Sequence, residues 1–327
     1  MKDTDFLFLG SMLRAREVRM LGSERIDRML ASEEFTDVVK QLIDFGFPDM
    51  SELSISEIDL MLEERRSEFF REMSAYSYVS DILDLFRMKY DYHNVKVLVK
   101  SIGADIEAEH LLSSSGRIDP TILRDAYISG QFEDLPQPIA SAFESSSGVL
   151  SRTDNPQLSD IDTDKFYFNE LSALAKKLKN DFVTGYVRLL IDTANLKIIV
   201  RSSRIGRNSD FLKDTLIPDG SVGVDELLKS LEDDKPLPFD NNALDLAIRL
   251  GTSAMEGNSQ TPFELACDNA VLHYVTNTKS IGFGSAPVIA YFAKIEWEIT
   301  IIRMILTGKN TGISSEVIRE RLRECNV

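Results

Sequence analysis

Several kinds of residue are scarce in this 327-residue chain, and each scarcity argues against a class of protein. The two cysteines, Cys267 and Cys325, form no spaced framework and suit a reducing compartment. Basic residues number 37 against 53 acidic ones, and the resulting net charge of −16 disfavours binding to a nucleic-acid backbone. We therefore expect no nucleic-acid partner.

Metal-binding signatures are equally scarce. The three histidines, His93, His110 and His273, form no His-Glu-x-x-His pair, and no Cys-x-x-Cys occurs. Asp233 and Asp234 hint at an Asp-rich metal motif of prenyl-processing helical enzymes, but neighbouring prolines place them in a loop. We expect no metal and no cofactor.

One segment has a faint likeness to a phosphate-binding loop. Residues 306–311 include Gly308 and Lys309, but Arg303 stands where the first glycine of such a loop belongs. Asn310 also replaces the serine or threonine that would hold magnesium. The sequence therefore indicates a protein without a catalytic site.

No long apolar run is present. The strongest candidate, Ala286 to Leu306, carries Lys294, Glu296, Glu298 and Arg303, whereas a membrane-spanning helix needs about 20 apolar residues. The first five residues lack the apolar core of a signal peptide. We expect a protein that is soluble or peripheral to a membrane.

What the chain does contain is a repeated phrase, in which an acidic residue precedes an aliphatic run with one basic residue. The copies are Asp91 to Val99, Asp192 to Val200 and, more diverged, Glu298 to Leu306. Their basic residues, Lys96, Lys197 and Arg303, are 101 and 106 residues apart. A period on this scale indicates a structural unit used three times. The motif positions are Asp91, Asn94, Lys96, Asp192, Asn195, Lys197, Glu298 and Arg303, and we interpret them as solvating a helix edge or pairing across a seam between helices.

A weaker second phrase, a small residue followed by an amphipathic turn, begins near Ser23, Gly116, Gly220 and Gly312. Four such beginnings and three copies of the first phrase imply three units and a terminal fragment. We predict repeat domains at 1–102, 103–207 and 208–327. The C-terminal segment 314–325 is expected to pack against a neighbouring unit.

The periodicity is helical almost throughout. The segment from Ser54 to Lys100 has no glycine or proline and repeats apolar residues every three or four positions, which predicts one long helix or two with a tight join. Capping boxes begin at Ser54 and Thr261. In the third unit we expect a helix from about 285 to 306, ended by Gly308. Residues 95–99 and 198–200 are β-branched but continue helical patterns, so helix is favoured there, and loops are predicted at 46–54, 145–159 and 233–241.

Positive charge is concentrated in one stretch, Lys165 to Arg207, which holds nine basic residues against three acidic ones. Such a basic island either docks an acidic partner or anionic lipid headgroups, or is an ordinary solvated helix face. We predict that Arg201, Arg204 and Arg207 contact a partner.

The chain resembles a known family along nearly its whole length. The segments that carry the resemblance are 12–21, Asn94-Val95-Lys96, Asn195-Leu196-Lys197, 282–294, Glu298, 303–309 and 318–323. They are similar to the C subunit of archaeal and bacterial V/A-type rotary ATPases, a relative of the d subunit of the eukaryotic V-ATPase. One departure is 297–300, which is less polar here than in the family.

The resemblance implies an all-α fold of three similar helical domains in a pseudo-threefold funnel. It also implies a non-catalytic socket, one copy per complex, on the cytoplasmic face of the membrane, between the central stalk and the proteolipid rotor ring. A helical enzyme acting on an isoprenoid or phosphate substrate, or a generic helical scaffold, is the alternative.

Overall fold

The computed structural model of the protein describes residues 3–103, 106–206, 209–233, 235–239, 242–277, 281 and 284–322. Fifteen α-helices and four short 3-10 helices run through these residues, and no strand occurs among them. The predicted all-α fold class is therefore confirmed. The β-branched segments 95–99 and 198–200 lie inside long helices, as the continuous helical periodicity predicted.

The chain divides into two compact units. One combines Met1–Arg66 with Asn241–Val327, and the other is the continuous segment Ser67–Asp240. The first is therefore assembled from the two ends of the sequence. The three repeat domains at 1–102, 103–207 and 208–327 stay a prediction.

The first unit is built around one almost completely buried helix. Its helices are α1 (Leu7–Glu17), α2 (Ser23–Ala31), α3 (Phe35–Asp44), the first part of α4 (Ile55–Ser74), α12 (Asp245–Met255), α13 (Thr261–Thr276), α14 (Ala286–Asn310) and α15 (Ser315–Arg321). Helix α14 contacts α1, α3, α13 and α15, and its buried residues lie on all of its faces. A helix that is apolar all round forms a core rather than a surface.

The second unit is a bundle in which α8 is central. It contains the end of α4, then α5 (Ser80–Gly103), α6 (Pro120–Ser129), α7 (Gln137–Thr153), α8 (Pro156–Leu178), α9 (Asp181–Arg204), α10 (Ser209–Thr215) and α11 (Val224–Glu232). Helix α8 packs against α5, α7 and α9. The long helices α5, α8 and α9 carry the first two copies of the repeated phrase and the helix between them.

The long helical segment after Ser54 is two helices with a tight join. Helix α4 ends at Ser74 and α5 begins at Ser80, with a 3-10 turn at Ser77–Val79 between them. The predicted capping box is present, because Ser54 N–H donates to Glu57 Oε2 at 2.8 Å and Glu57 N–H donates to Ser54 Oγ at 3.3 Å. Both predictions for this segment are confirmed.

The loop predicted at 145–159 is wrong. Helices α7 and α8 occupy nearly all of it and are separated only by Asp154 and Asn155. The serines that suggested a loop lie in the contact between these helices, where Ser146 Oγ is 2.8 Å from Thr163 Oγ1 and Ser159 Oγ donates to the carbonyl of Ser146 at 3.0 Å. Small hydroxyl residues here permit close helix packing.

The boundaries predicted for the last helices also need correction. Gly308 does not end α14, which continues to Asn310, and a Cβ atom at Gly308 would lie 2.6 Å from Ile318 Cδ1 of α15. This glycine therefore permits helix contact instead of ending a helix. Thr261 is the first residue of α13 and not its cap, and its N–H donates to Ser259 Oγ at 3.3 Å.

The C-terminal helix α15 packs against α2, α13 and α14, as expected of a terminal fragment. Arg319 Nη1 lies 2.6 Å from Asp27 Oδ1, and Ser315 Oγ donates to the carbonyl of Leu30 at 2.6 Å. Residues 323–327 lie outside the described part of the chain.

Candidate functional site

The first acidic motif residue, Asp91, is fully buried and holds a loop. Its Oδ1 accepts hydrogen bonds from the N–H groups of Arg117 at 2.8 Å and Ile118 at 3.2 Å. Its Oδ2 accepts from Arg117 Nε at 2.6 Å. Burial raises the pKa of Asp91, and the charge of Arg117 and the three hydrogen bonds offset part of this effect. Asp91 therefore fixes the loop that leads into α6.

The neighbouring Asn94 holds the same loop one helical turn further along. Its Nδ2 donates to the Ser113 carbonyl at 2.9 Å, and its Oδ1 accepts from the Ser113 N–H at 2.8 Å. The side-chain amide of an asparagine can bond both the backbone N–H and the backbone C=O of one residue, as the backbone of a neighbouring β-strand does. The loop is thereby held at two points on α5.

The second copy of the phrase repeats this arrangement. Asp192 Oδ1 accepts from the Ser221 N–H at 2.8 Å. Asn195 exchanges two hydrogen bonds of 2.8 Å with the backbone of Ile217. Burial raises the pKa of Asp192, and this outweighs the hydrogen bond from Ser221 and the nearby Arg188.

The third copy is made by the two ends of the sequence. Buried Glu298 on α14 accepts from the N–H of Leu21 at 2.9 Å, in the loop that leads into α2. Ile301 stands where the other copies have asparagine, so the third copy lacks the side-chain amide that bonds the loop backbone in the other two. Burial raises the pKa of Glu298, opposed by the Leu21 hydrogen bond and by Arg65 and Arg25.

Two glycines make room for the aspartates. A Cβ atom at Gly116 would lie 2.4 Å from Asp91 Oδ1, and one at Gly220 would lie 2.4 Å from Asp192 Oδ1. Met20 occupies the corresponding place before Leu21, so the third copy has no glycine there, and its acid is the longer Glu298. The loops that carry the second repeated phrase therefore contact the helices that carry the first. The interpretation of Asp91, Asn94, Asp192 and Asn195 as helix-edge residues is wrong, because burial places them inside the fold.

The basic motif residues pair across helices. Lys96 Nζ on α5 lies 2.6 Å from Asp164 Oδ1 on α8, and Arg303 Nε on α14 lies 2.5 Å from Asp59 Oδ1 on α4. Of the two interpretations given for these positions, a solvated helix edge or a pair across a helix seam, Lys96 and Arg303 follow the second. Half-buried Lys197 lines a cavity in the second unit.

A further basic residue, four positions before each acid, escaped the sequence analysis. Arg87 donates to the carbonyls of Ser115, at 3.4 Å, and Gly116. Arg188 and Lys294 occupy the corresponding positions, and buried Lys294 lies 3.3 Å from Glu17 Oε1. The spacing Arg-x-x-x-Asp in the first two copies was the available signal.

The suspected phosphate-loop lysine has a structural role. Lys309 Nζ donates to the carbonyls of Leu30, at 2.8 Å, and Ser32, and to Ser315 Oγ at 2.9 Å. It therefore ties α14 to the end of α2. Among the described residues no group of three or more His, Cys, Asp or Glu side chains could hold a metal ion. Asp234 lies outside them, and Asp233 pairs with Lys235 at 2.7 Å.

The predicted contact residues lie at the end of α9. Arg201 and Arg204 are both exposed in its last turn, while Arg207 lies outside the described residues. Basic side chains at a helix C-terminus also interact favourably with the helix dipole. The role of these three residues as a partner surface stays a prediction.

Much of the basic island is paired within its own unit. Lys176 Nζ lies 2.6 Å from Asp219 Oδ2, Lys177 Nζ lies 3.0 Å from Asp81 Oδ1, and Lys165 donates to the carbonyl of Asp214. Hydrogen bonds from the Lys176 and Ser172 side chains lower the pKa of Asp219. A large part of the positive charge on α8 therefore serves the fold of the second unit.

These contacts define a class of protein. It is an all-α protein with internal repeats, and its buried carboxylates and amides hold its own loops against long helices. Within the described residues no helix combines the length and apolar character that a membrane crossing requires.

The sequence model of the ATP synthase (C/AC39) subunit family matches residues 9–321, and the chain belongs to that family. It is similar to the C subunit of the V-type sodium ATPase of Enterococcus hirae, with 21% identity over 97% of both chains. It is also similar to the C subunits of A-type ATP synthases. That of Thermococcus kodakarensis is 24% identical over 99% of this chain and 92% of the relative, and that of Methanococcoides burtonii is 25% identical over 84% and 88%. Membership confirms the family resemblance and the prediction of a non-catalytic subunit.

Proposed function

We propose that this chain is the central-stalk subunit of a V/A-type rotary ATPase, a socket that receives the central stalk and caps the proteolipid rotor ring. One copy lies at the cytoplasmic face of the membrane, peripheral to it. It transmits torque for ATP-coupled ion transport and needs no cofactor. The match of the subunit family along residues 9–321 is the observation that carries this proposal.

The internal construction supports a mechanical role. A torque-bearing part must resist local deformation, and the loops after the repeated helices are held to them by buried side chains. Asp91 and Asn94 hold one loop, Asp192 and Asn195 hold the next, and Glu298 holds a third. Loops fastened in this way move with their helices, because opening one would leave buried polar groups without partners.

The basic end of α9 is proposed as part of the docking surface, through Arg201, Arg204 and Arg207. Attraction between exposed charges is screened within a Debye length of about 8 Å at physiological salt. Assembly through this surface should therefore weaken as ionic strength rises.

The test is reconstitution with separately purified stalk and ring subunits. The unaltered chain should co-purify with both, and its omission should abolish ATP-driven ion transport while leaving ATP hydrolysis by the catalytic head. The double variant Arg204→Glu/Arg207→Glu should weaken assembly about tenfold and flatten its salt dependence. The matched control is Lys213→Glu, a charge reversal at an exposed residue of α10.

Two outcomes distinguish the socket role from the docking role of the α9 end. Failure of the unaltered chain to bind either stalk or ring contradicts the socket role. Normal assembly of the double variant, with an unchanged salt slope and the helical circular dichroism intact, removes only the docking role of the α9 end.

A further inference from the structure

Another cavity of the second unit opens between α6 and α7, and none of the motif residues lines it. It has a volume of about 410 Å³. Binding sites of this size typically combine apolar and aromatic walls with a few polar groups. The lining has this composition and consists of Tyr127, Ile128, Phe132, Phe143, Glu144 and Ser147.

One wall of the cavity is a cluster of three aromatic rings. The ring of Phe143 stacks on that of Tyr127, with centroids 4.9 Å apart, and on that of Phe132, with centroids 5.5 Å apart. The planes of these two pairs differ by 25° and 9°. Phe143 is fully buried, whereas Tyr127 and Phe132 are half-buried and leave part of the wall accessible. Nearly parallel rings favour a planar ligand group that stacks on them.

An aliphatic side chain lines the cavity beside the rings. Ile128 belongs to the last turn of α6 and is 66% exposed. Covering it removes apolar surface from water, which favours binding. Lysine and arginine lay their methylene groups along such surfaces while the charged head stays in a polar environment. Ile128 therefore favours a ligand group with an aliphatic stem.

The cavity also has a carboxylate, in an acidic part of the surface. Glu144 is exposed, and no hydrogen bond or ion pair joins its side chain to the other residues that the structure describes. Residues 118–151 contain five acidic side chains and one basic one, Arg124, which is already paired with two carboxylates. Glu133 and Asp134 are exposed in the loop between α6 and α7. This surface therefore attracts positive charge.

We propose that this cavity docks an arginine side chain from a basic segment of a partner protein. The guanidinium stacks on the rings of Tyr127 and Phe132 and pairs with Glu144, while the aliphatic stem covers Ile128. Arginine fits better than lysine, because its planar guanidinium stacks on aromatic faces and binds a carboxylate through two parallel hydrogen bonds. The acidic loop attracts further basic residues beside the arginine, so a basic segment is favoured over a single small cation.

The first experiment measures the binding of three blocked, fluorescent peptides to the purified chain by anisotropy. Each is an alanine-based peptide of eleven residues with two lysines on either side of a central arginine, lysine or citrulline. The arginine peptide should bind about two- to fivefold more tightly than the lysine peptide of equal charge, because the guanidinium stacks better. Citrulline has the shape of arginine without its charge and should weaken binding about tenfold. The chain is used alone, so the result is independent of assembly with stalk or ring subunits.

The second experiment locates the bound peptide. Ile128→Lys places a positive charge in the cavity and should lower the affinity for the arginine peptide about tenfold or more. Glu144→Gln should lower it about two- to fivefold. The matched control is Glu226→Gln, the same charge change at an exposed residue of α11 outside the cavity lining, which should alter the affinity by less than about twofold. Phe132→Leu should remove the preference for arginine over lysine, because it keeps an apolar side chain but deletes one ring.

Circular dichroism checks the fold of each variant. Should Phe132→Leu unfold, Ile128→Lys and Glu144→Gln keep the test, since both replace exposed side chains. Equal affinity for the arginine and lysine peptides would contradict stacking of a guanidinium, and equal affinity for the arginine and citrulline peptides would contradict a charged anchor. Unchanged binding to the folded Ile128→Lys variant would place the peptide elsewhere on the acidic surface and overturn the proposal.

Discussion

The two complete copies of the repeated motif hold their loops in the same way but differ in what else they join. At both, an aspartate accepts the N–H of a loop residue at 2.8 Å, and an asparagine clamps the backbone of a second loop residue. At Asp91 that loop residue is Arg117, and at Asp192 it is Ser221. The shared part of the motif is therefore a loop clamp.

Arg117 makes the first copy into a larger network. Its guanidinium reaches Glu170 of α8 at 2.7 Å, and Glu170 also accepts from the hydroxyl of Tyr92 at 2.8 Å. Beside it, the pKa of Tyr92 is raised by burial and by the charge of Glu170. Serine is too short for this role, and Asp192 Oδ2 is buried without a hydrogen bond from the described residues. The first copy thus joins its loop to the next long helix.

Removing each aspartate should give the largest contrast between the copies. We expect Asp91→Ala to cost about 3–5 kcal/mol of folding free energy, because it leaves the partly buried Arg117 without one of its two carboxylates. Asp192→Ala should cost only about 1–2 kcal/mol of folding free energy. It leaves the N–H of Ser221 without its acceptor, but it also removes the buried Oδ2 atom, which has no hydrogen bond from the described residues. Urea unfolding followed by circular dichroism measures both.

Both aspartates lie in the same unit, so each variant is a control for the other. A common urea dependence of the free energy would show that the transitions are comparable. Equal losses for the two variants would contradict the view that Arg117 distinguishes the copies.

Converting the first copy into the second is a more selective change. Arg117→Ser should cost roughly 1.5–3 kcal/mol, because it removes charge-assisted hydrogen bonds to Asp91 and Glu170 but keeps the backbone N–H bonded to Asp91. Hydrogen exchange at the amides of residues 117 and 118 should remain slow. Rapid exchange there would mean that the guanidinium, and not the backbone, holds the loop.

The smallest expected effect is a pH dependence of folding stability that comes from Glu298 in the third copy. Burial raises the pKa of Glu298, so the folded protein holds this proton more tightly than the unfolded chain. The contribution of Glu298 to stability is complete below its unfolded pKa and is lost as the pH rises through the raised folded value. Glu298→Gln should abolish this loss. The folding stability of the variant, compared with that of the parent chain, should therefore increase with pH by on the order of 1 kcal/mol.

Thermal unfolding of both chains from pH 4 to pH 8 measures this difference. Glu57→Gln is the control, because Glu57 is exposed and its pKa is lowered by Ser54, which gives the opposite sign. A constant difference between Glu298→Gln and the parent chain across the range would contradict the raised pKa.

Sequence patterns predicted the helices well, since apolar periodicity and the capping box at Ser54 depend on neighbours along the chain. They misjudged Gly308 and the serines near 146, because a residue that ends a helix and one that permits close packing look alike in sequence. The contact between Gly308 and Ile318 decides between them.

The motif residues were found by their repetition, but their role was not. A polar residue on a helix usually faces water, so Asp91 and Asn94 looked like edge residues. Their partners are backbone N–H and carbonyl groups of a loop 19 or more residues away, and a backbone group has no signature in sequence. Gly116 and Gly220 were the one visible trace of those partners.

The bond from Glu298 to Leu21 has a consequence for the order of folding during synthesis. A ribosome that has made residues 67–240 has completed the whole of the second unit, which can fold as the chain emerges. The first unit must wait, because Leu21 finds its carboxylate only when residue 298 has been made. Its amino-terminal helices therefore spend most of translation without their core helix, and contacts of such long sequence separation form slowly. A chaperone that binds exposed apolar segments should bind the nascent chain most strongly at α1 to α3.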